Sequence, residues 1–227
     1  MVQNYNDFCE ELLRAGFSLG GGSDKGIYAV VPFDWTEQPA GTQVRWHTGE
    51  PETDPWEWRM RVLEERCDIA YAKLFFRGSG YITEEWYPYF LAVRREGMTF
   101  EEMWEAGRIS GLSRRIYTAV SENGRVPMHE IKRLAGLSGE TSAHIEKAMT
   151  DLQMGMFLTI CGRQQKRNAF GEPYGWSSTV FCTPEEFWHM DGFTDIPPDE
   201  AAEKIRARVL ELNPAAQERK IKKFICG

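Results

Sequence analysis

Residues 113 to 182 limit what this chain can fold into more than any other stretch. Three short segments with apolar residues at helical spacing (114–121, 128–135 and 142–154) come first. Two apolar runs of strand character follow, 156–161 and 176–182, separated by a polar loop. Helix, helix, helix, hairpin is the order of a winged helix, which offers a helix to a duplex groove and its hairpin to the nearby backbone. The expected fold is therefore α+β and mainly α, with a winged helix-turn-helix core, a mixed aromatic-rich N-terminal region and C-terminal helices. The pattern directs attention to nucleic acid without proving contact, because a fold is not a function.

Punctuation supports the pattern. Ser113 is expected to cap the first helix, with Ile116 and Val120 facing inward and Gly124 ending it. Arg125-Val126 can form a short strand against the hairpin, and Pro127 opens a second helix that buries Ile131, Leu134 and Ala135. The third helix buries Ile145, Ala148, Met149 and Leu152, and presents His144, Glu146, Lys147, Asp151 and Gln153. Thr183-Pro-Glu-Glu186 reads as a capping box beyond the hairpin.

Upstream, Tyr5, Phe8, Leu12 and Ala15 share one helical face that ends at Gly16. Gly20-Gly21-Gly22 lacks the spacing of a dinucleotide loop and reads as a turn. Residues 26–33 look like a short buried strand, and 34–55 look irregular. Asp54 and Pro55 open a helix to about Arg66; 69–76 is apolar enough for a buried strand or helix; 83–95 is expected to be helical around or after Pro88. Thr99-Phe-Glu-Glu102 is a capping box for a short helix ending at Gly107. Two amphipathic helices, 198–212 and 214–225, close the chain, the second with Arg219, Lys220, Lys222 and Lys223. Three regions result: 1–107, acidic and aromatic-rich; 113–190, the winged helix; 191–227, a helical extension.

Charge separates these regions. Against a net charge of -7, Lys and Arg number 11 to 19 Asp and Glu in 1–110, 9 to 8 in 111–190, and 7 to 7 from 191. Phosphate binding rests on cations, so DNA contact is expected only through a local patch. The hairpin loop supplies one: Arg163, Gln164, Gln165, Lys166 and Arg167. Arg114 and Arg115 on the first helix and His144 and Lys147 on the third extend the candidate DNA-binding set. Glu146 and Asp151 weaken the third helix, and a hairpin tip kept polar only for solubility is the plain alternative. Many aromatics lie between 46 and 90; Asp54, Trp56, Trp58, Arg59, Tyr71 and Lys73 can line a base-stacking pocket or simply belong to a core.

The five cysteines are dispersed, and neither they nor the four histidines show metal-ligand spacing. Cys161 and Cys182 fall on the two hairpin strands and can face each other. No metal, cofactor, secretory signal or membrane span is expected, which makes the cytoplasm the expected location. No nucleophile elbow, P-loop or Cys–His arrangement is present, so no catalytic residue is nominated.

Residues 113–188 resemble the middle winged helix of the AlkZ/YcaQ-like DNA glycosylases, bacterial enzymes that excise alkylated or crosslinked bases. The similarity lies in RRIYTAVSENGRVPMHEIKRLAG, IEKAMTDLQMGMFLTICGR and a hairpin closing on VFCTPEEFW. KLFFRGSGYITEEWYPYFLAVRR and the DPWEWR motif at 54–59 look more like AlkZ-related proteins of unknown role, over nearly the whole chain. The resemblance implies DNA binding, to duplex or damaged DNA. Family glycosylases carry a catalytic Gln-x-Gln or Gln-x-Asp in an additional N-terminal winged helix. Here the early glutamines read Gln3-Asn-Tyr, Gln38-Pro-Ala and Gln43-Val-Arg, and 1–50 is short and rich in Gly and Pro. The expectation is a DNA-binding relative without the family's catalytic motif. The alternatives are a base-excision enzyme using the aromatic region as its pocket, and a protein-interaction or dimerisation module with no DNA role.

Overall fold

A computed structural model describes every residue except Ala169 and Phe193. The chain forms two compact units: Met1–Gly97 with Phe193–Gly227, and Met98–Gly192.

The first unit starts with helix α1 (Tyr5–Ala15), capped by the Asn4 side chain and ended by left-handed Gly16. A side chain at Gly16 would collide with Trp86, so glycine is required there for space as well as for backbone freedom. Three antiparallel strands follow in this unit, in the order β1 (Phe17–Leu19), β3 (Gly78–Thr83), β2 (Ile69–Phe75). Helix α2 (Pro55–Glu65) precedes β2, and α3 (Tyr87–Arg95) follows β3. The apolar segment at 69–76 is thus a strand, turned back by Phe76 and Arg77, both left-handed. Residues 26–33, expected as a strand, are irregular. Ile27, Val31 and Phe33 are buried as the pattern required, but only the Tyr28 carbonyl joins β1's ladder; Val30 N–H donates to the Ser18 hydroxyl instead.

Helices α9 (Pro198–Leu212) and α10 (Glu218–Cys226) complete this unit. Phe224 stacks on Phe75 with centroids 4.1 Å apart and also meets Phe17 and Phe90. Two arginines tie off helix ends. Buried Arg94 donates to the carbonyls of Phe224 and Ile225, and burial pushes its pKa below the usual arginine range. Arg208 donates to the Arg14 and Ala15 carbonyls at the end of α1. Cations belong there, where a helix leaves its last carbonyls without partners.

The second unit opens with α4 (Phe100–Glu105), held by the expected Thr99–Glu102 capping box. Then come α5 (Gly111–Asn123), β4 (Val126–Pro127), α6 (Met128–Leu134), α7 (Ser142–Met154), β5 (Thr159–Gln164), β6 (Ser178–Cys182) and α8 (Pro184–Trp188). The strands order β5-β6-β4, all antiparallel, with Val126 opposite Phe181 and Gln164 opposite Ser178. Ile116, Val120, Ile131, Ile145 and Leu152 form the core between helices and hairpin, and Phe100 stacks on Tyr117 at 3.7 Å.

Local corrections follow from hydrogen bonding. The cap of α5 is Ser110, whose side chain accepts from Ser113 N–H, so Ser113 lies inside the helix. Strand β5 starts three residues later than the apolar run, because Met156 to Leu158 fold back onto the end of α7 through bonds to Gln153 and Leu152. Gln153 is buried and donates to the Met149 carbonyl rather than facing outward. A bulge between Ile160 and Gly162 brings Cys161 to Cys182; all five cysteines are free, and the bond to Cys161 together with burial pushes the Cys182 thiol up. Among the described residues, no helix is long and apolar enough to cross a membrane.

Candidate nucleic-acid interface

In the second unit the hairpin runs beyond its regular ladder. Past Gln164 it is held by Tyr174 N–H to the Lys166 carbonyl at 3.0 Å and by an isolated bridge between Arg167 and Pro173. Gln165 locks the stalk, donating to the carbonyls of Tyr174 and Gly175 and accepting from the Ser177 hydroxyl. At the tip, the Asn168 carboxamide oxygen accepts from the N–H groups of Phe170 and Glu172. Gln165 is thus a structural strut rather than a free donor. Arg163, Gln164 and Arg167 are exposed and Lys166 half-buried, while Arg167 also donates to the Gly171 carbonyl at 2.7 Å.

The same hairpin carries aromatics outside the candidate set. Phe170 is 89% exposed, Trp176 92% and Tyr174 51%. Isolated exposed apolar residues are ordinary, but three large rings on one short basic hairpin make a surface suited to unstacked bases or a groove wall. The sequence carries a signal for this: Phe170, Tyr174 and Trp176 stand in a loop otherwise made of Gly, Pro, Ala, amide and charged residues.

The remaining cations of the candidate set have partners. Arg114 pairs with Glu101 at 3.2 Å and lies over the Trp104 ring. Arg115 donates to the carbonyls of Ala135 and Gly136, closing the end of α6. On α7, Lys147 pairs with Asp151 at 2.6 Å and His144 approaches Glu140 at 3.6 Å. Exposed pairs of this kind contribute little to stability, yet they do reduce the field available to phosphate. The hairpin gathers Arg163, Lys166 and Arg167 within five positions, the densest run of cations in the unit's sequence.

The aromatic region of the first unit separates into core and cleft. Trp58 is fully buried against Phe8 and donates its indole N–H to the Pro51 carbonyl. Asp54 is also fully buried, and its carboxylate accepts from the N–H groups of His47, Gly49 and Trp56 at 2.8–3.0 Å. These two residues hold the scaffold together. Trp56, Arg59 and Tyr71 line a cleft of about 490 Å³, together with Trp35, Trp46, His47, Lys25, Asp34 and the Gly20–Gly22 turn. Lys73 is not in the lining. The Arg59 guanidinium sits 3.3 Å above the Trp56 ring centroid.

Against known proteins, a family model described as "AlkZ related" matches residues 2–226. Among solved structures, the Streptomyces sahachiroi DNA glycosylase AlkZ is similar at 12% identity and a TM-score of 0.41, covering 75% of this chain and 50% of that one. The chain thus spans about half the length of that glycosylase. No curated protein sequence matches it.

Proposed function

Because this chain belongs to the AlkZ-related family, we propose that it is a winged-helix protein that binds duplex DNA, intact or damaged, without excising a base by the Gln-x-Gln/Asp route. In this reading residues 113–190 are the winged helix and the β5–β6 hairpin is its wing. One observation carries the reading: a braced hairpin that projects Arg163 and Arg167, with Lys166 between them, beside exposed Phe170, Tyr174 and Trp176. The cations supply attraction to phosphate, and the rings supply contacts that do not depend on salt. The third helix contributes less because its Lys147 is neutralised by Asp151. None of the glutamines at 3, 38, 43, 153 or 164 opens a Gln-x-Gln or Gln-x-Asp triplet, which supports binding rather than excision.

The test is a salt titration of duplex binding. Replacing Arg163, Lys166 and Arg167 by Ala should lower the slope of log affinity against log salt by roughly two to three. An unchanged slope and affinity would remove the hairpin from the interface. Release of free base from an alkylated duplex would overturn the non-excising part of the proposal. Absence of DNA affinity at low salt, together with self-association, would favour an interaction module instead.

A further inference from the structure

We propose that the cleft of the first unit is a binding site for a single unstacked nucleotide, a planar heteroaromatic base with a phosphate attached. The inference does not rest on the hairpin, which lies in the other unit.

Three observations converge. The first is shape and surface. A cavity of about 490 Å³ is in the range that encloses a small ligand. Its walls include Trp35, 69% exposed, and the pair formed by His47 and Trp56 with ring centroids 4.9 Å apart. A flat ring can lie against these aromatic walls, whereas an aliphatic ligand would not use the π surfaces.

The second observation is the polar part of the lining. Tyr71, 4% exposed, and the exposed His47 both line the cleft. A phenol and an imidazole at its wall offer a donor and an acceptor to a ligand's polar edge. His47 is also left-handed at φ 60, held there by the Asp54 carboxylate on its N–H. Non-glycine residues persist in that region only where the surroundings enforce it, and they cluster at ligand sites. Lys25, φ 47, lies in the same lining.

The third is charge. The molecule is acidic overall, yet this cleft holds Lys25 and Arg59 against Asp34. From Lys25 the positive surface continues to α10: the Lys220 ammonium lies over Gly26, and Lys25 and Lys223 both approach the Phe76 ring. A base seated among the rings would therefore have its phosphate at Lys25, with a basic path for a continuing strand. Asp34, whose Oδ1 accepts from the Thr36 N–H and hydroxyl, would meet a base amino group through its other oxygen.

The experiment titrates the full chain by tryptophan fluorescence with deoxynucleoside 5′-monophosphates, deoxyribose 5-phosphate and a short single-stranded oligonucleotide. Quenching by the nucleotides, with the sugar phosphate at least tenfold weaker, is expected. Trp35→Ala should weaken binding on the order of tenfold. His47→Gly, which relieves the backbone and leaves the fold intact by circular dichroism, should weaken it as well. An oligonucleotide that binds tighter than the monophosphate, with the advantage lost in Lys220→Ala, identifies the source as a strand; equal binding identifies a free nucleotide. Equal affinity for sugar phosphate and nucleotide, affinity unmoved by both variants, or no binding of any probe at millimolar concentration would overturn the proposal. The variant lacking Arg163, Lys166 and Arg167 should bind the monophosphate unchanged, which keeps failure here distinguishable from failure of the hairpin reading.

Discussion

Asp54 illustrates how one residue can organise a site it does not enter. Its two carboxylate oxygens take three backbone N–H groups: Trp56 at the start of α2, and His47 and Gly49 in the preceding loop. Asp54→Ala should therefore cost about 2 kcal/mol in a denaturant titration, more than a typical cap, because two donors of the loop lose their buried acceptor along with the helix. A loss below about 1 kcal/mol would mean that water replaces the carboxylate at no penalty. Asp54 and Pro55 were readable as a helix start, while the loop contacts were not, since nothing in the order of residues links 47 and 49 to 54. The same holds for the cleft. Trp56, Arg59 and Tyr71 stand in a stretch crowded with aromatics and so are legible in the sequence, but Trp35, His47 and Lys25 come from irregular chain whose path only tertiary packing decides.

At the scale of elements, the hairpin divides its work between strands and tip. The stalk is fixed by backbone bonds and by Gln165, and the tip by Asn168, so Phe170 and Trp176 are exposed on a braced frame rather than on a floppy loop. Trp176→Ala should weaken duplex binding on the order of tenfold and leave the salt slope unchanged, since stacking releases no counterions. A fall in the slope would show instead that the mutation had displaced the nearby cations. Helices were the more legible elements. Side-chain caps at Asp54, Thr99 and Thr141 mark their starts, and Gly16 and Gly124 their ends. Strands β1 and β3 escaped notice for different reasons. FSL is too short to show a period, and GSGYIT carries two glycines where a strand pattern expects branched side chains. Gly80 is required there because a Cβ would press on the Phe75 ring and the Ser18 carbonyl. The β2–β3 turn was equally silent, since Phe76-Arg77 replaces the usual Asn-Gly.

Across the whole molecule, acid should be the more effective stress. Carboxylates are held below their ordinary range in both units. Arg14 does this to Glu11, Arg66 to Asp68, and the Thr99 backbone to Glu102. A depressed folded-state pKa gives stability that is complete above the unfolded value and is lost as pH falls through the folded one. The loss should therefore begin near the ordinary values of 4.5 and 3.8 and continue below them. Urea midpoints measured from neutral pH downward should fall in that window, and Arg66→Ala should flatten the curve. An identical pH dependence in that variant would exclude the Asp68 pair as a contributor.

The return of α9 and α10 to the first unit also sets an order of assembly. Arg94 waits for the carbonyls of Phe224 and Ile225, 130 and 131 positions further along the chain, and Phe75 for a ring later still in sequence distance, that of Phe224. During synthesis the second unit is complete in sequence while the first still lacks its closing helices. On a ribosome that lengthens the chain by roughly 5–20 residues per second, the sheet of β1 to β3 must spend several seconds with a phenylalanine-lined face uncovered. The unit encoded first is thus the last to be sealed, and its nascent form is the natural client for a chaperone.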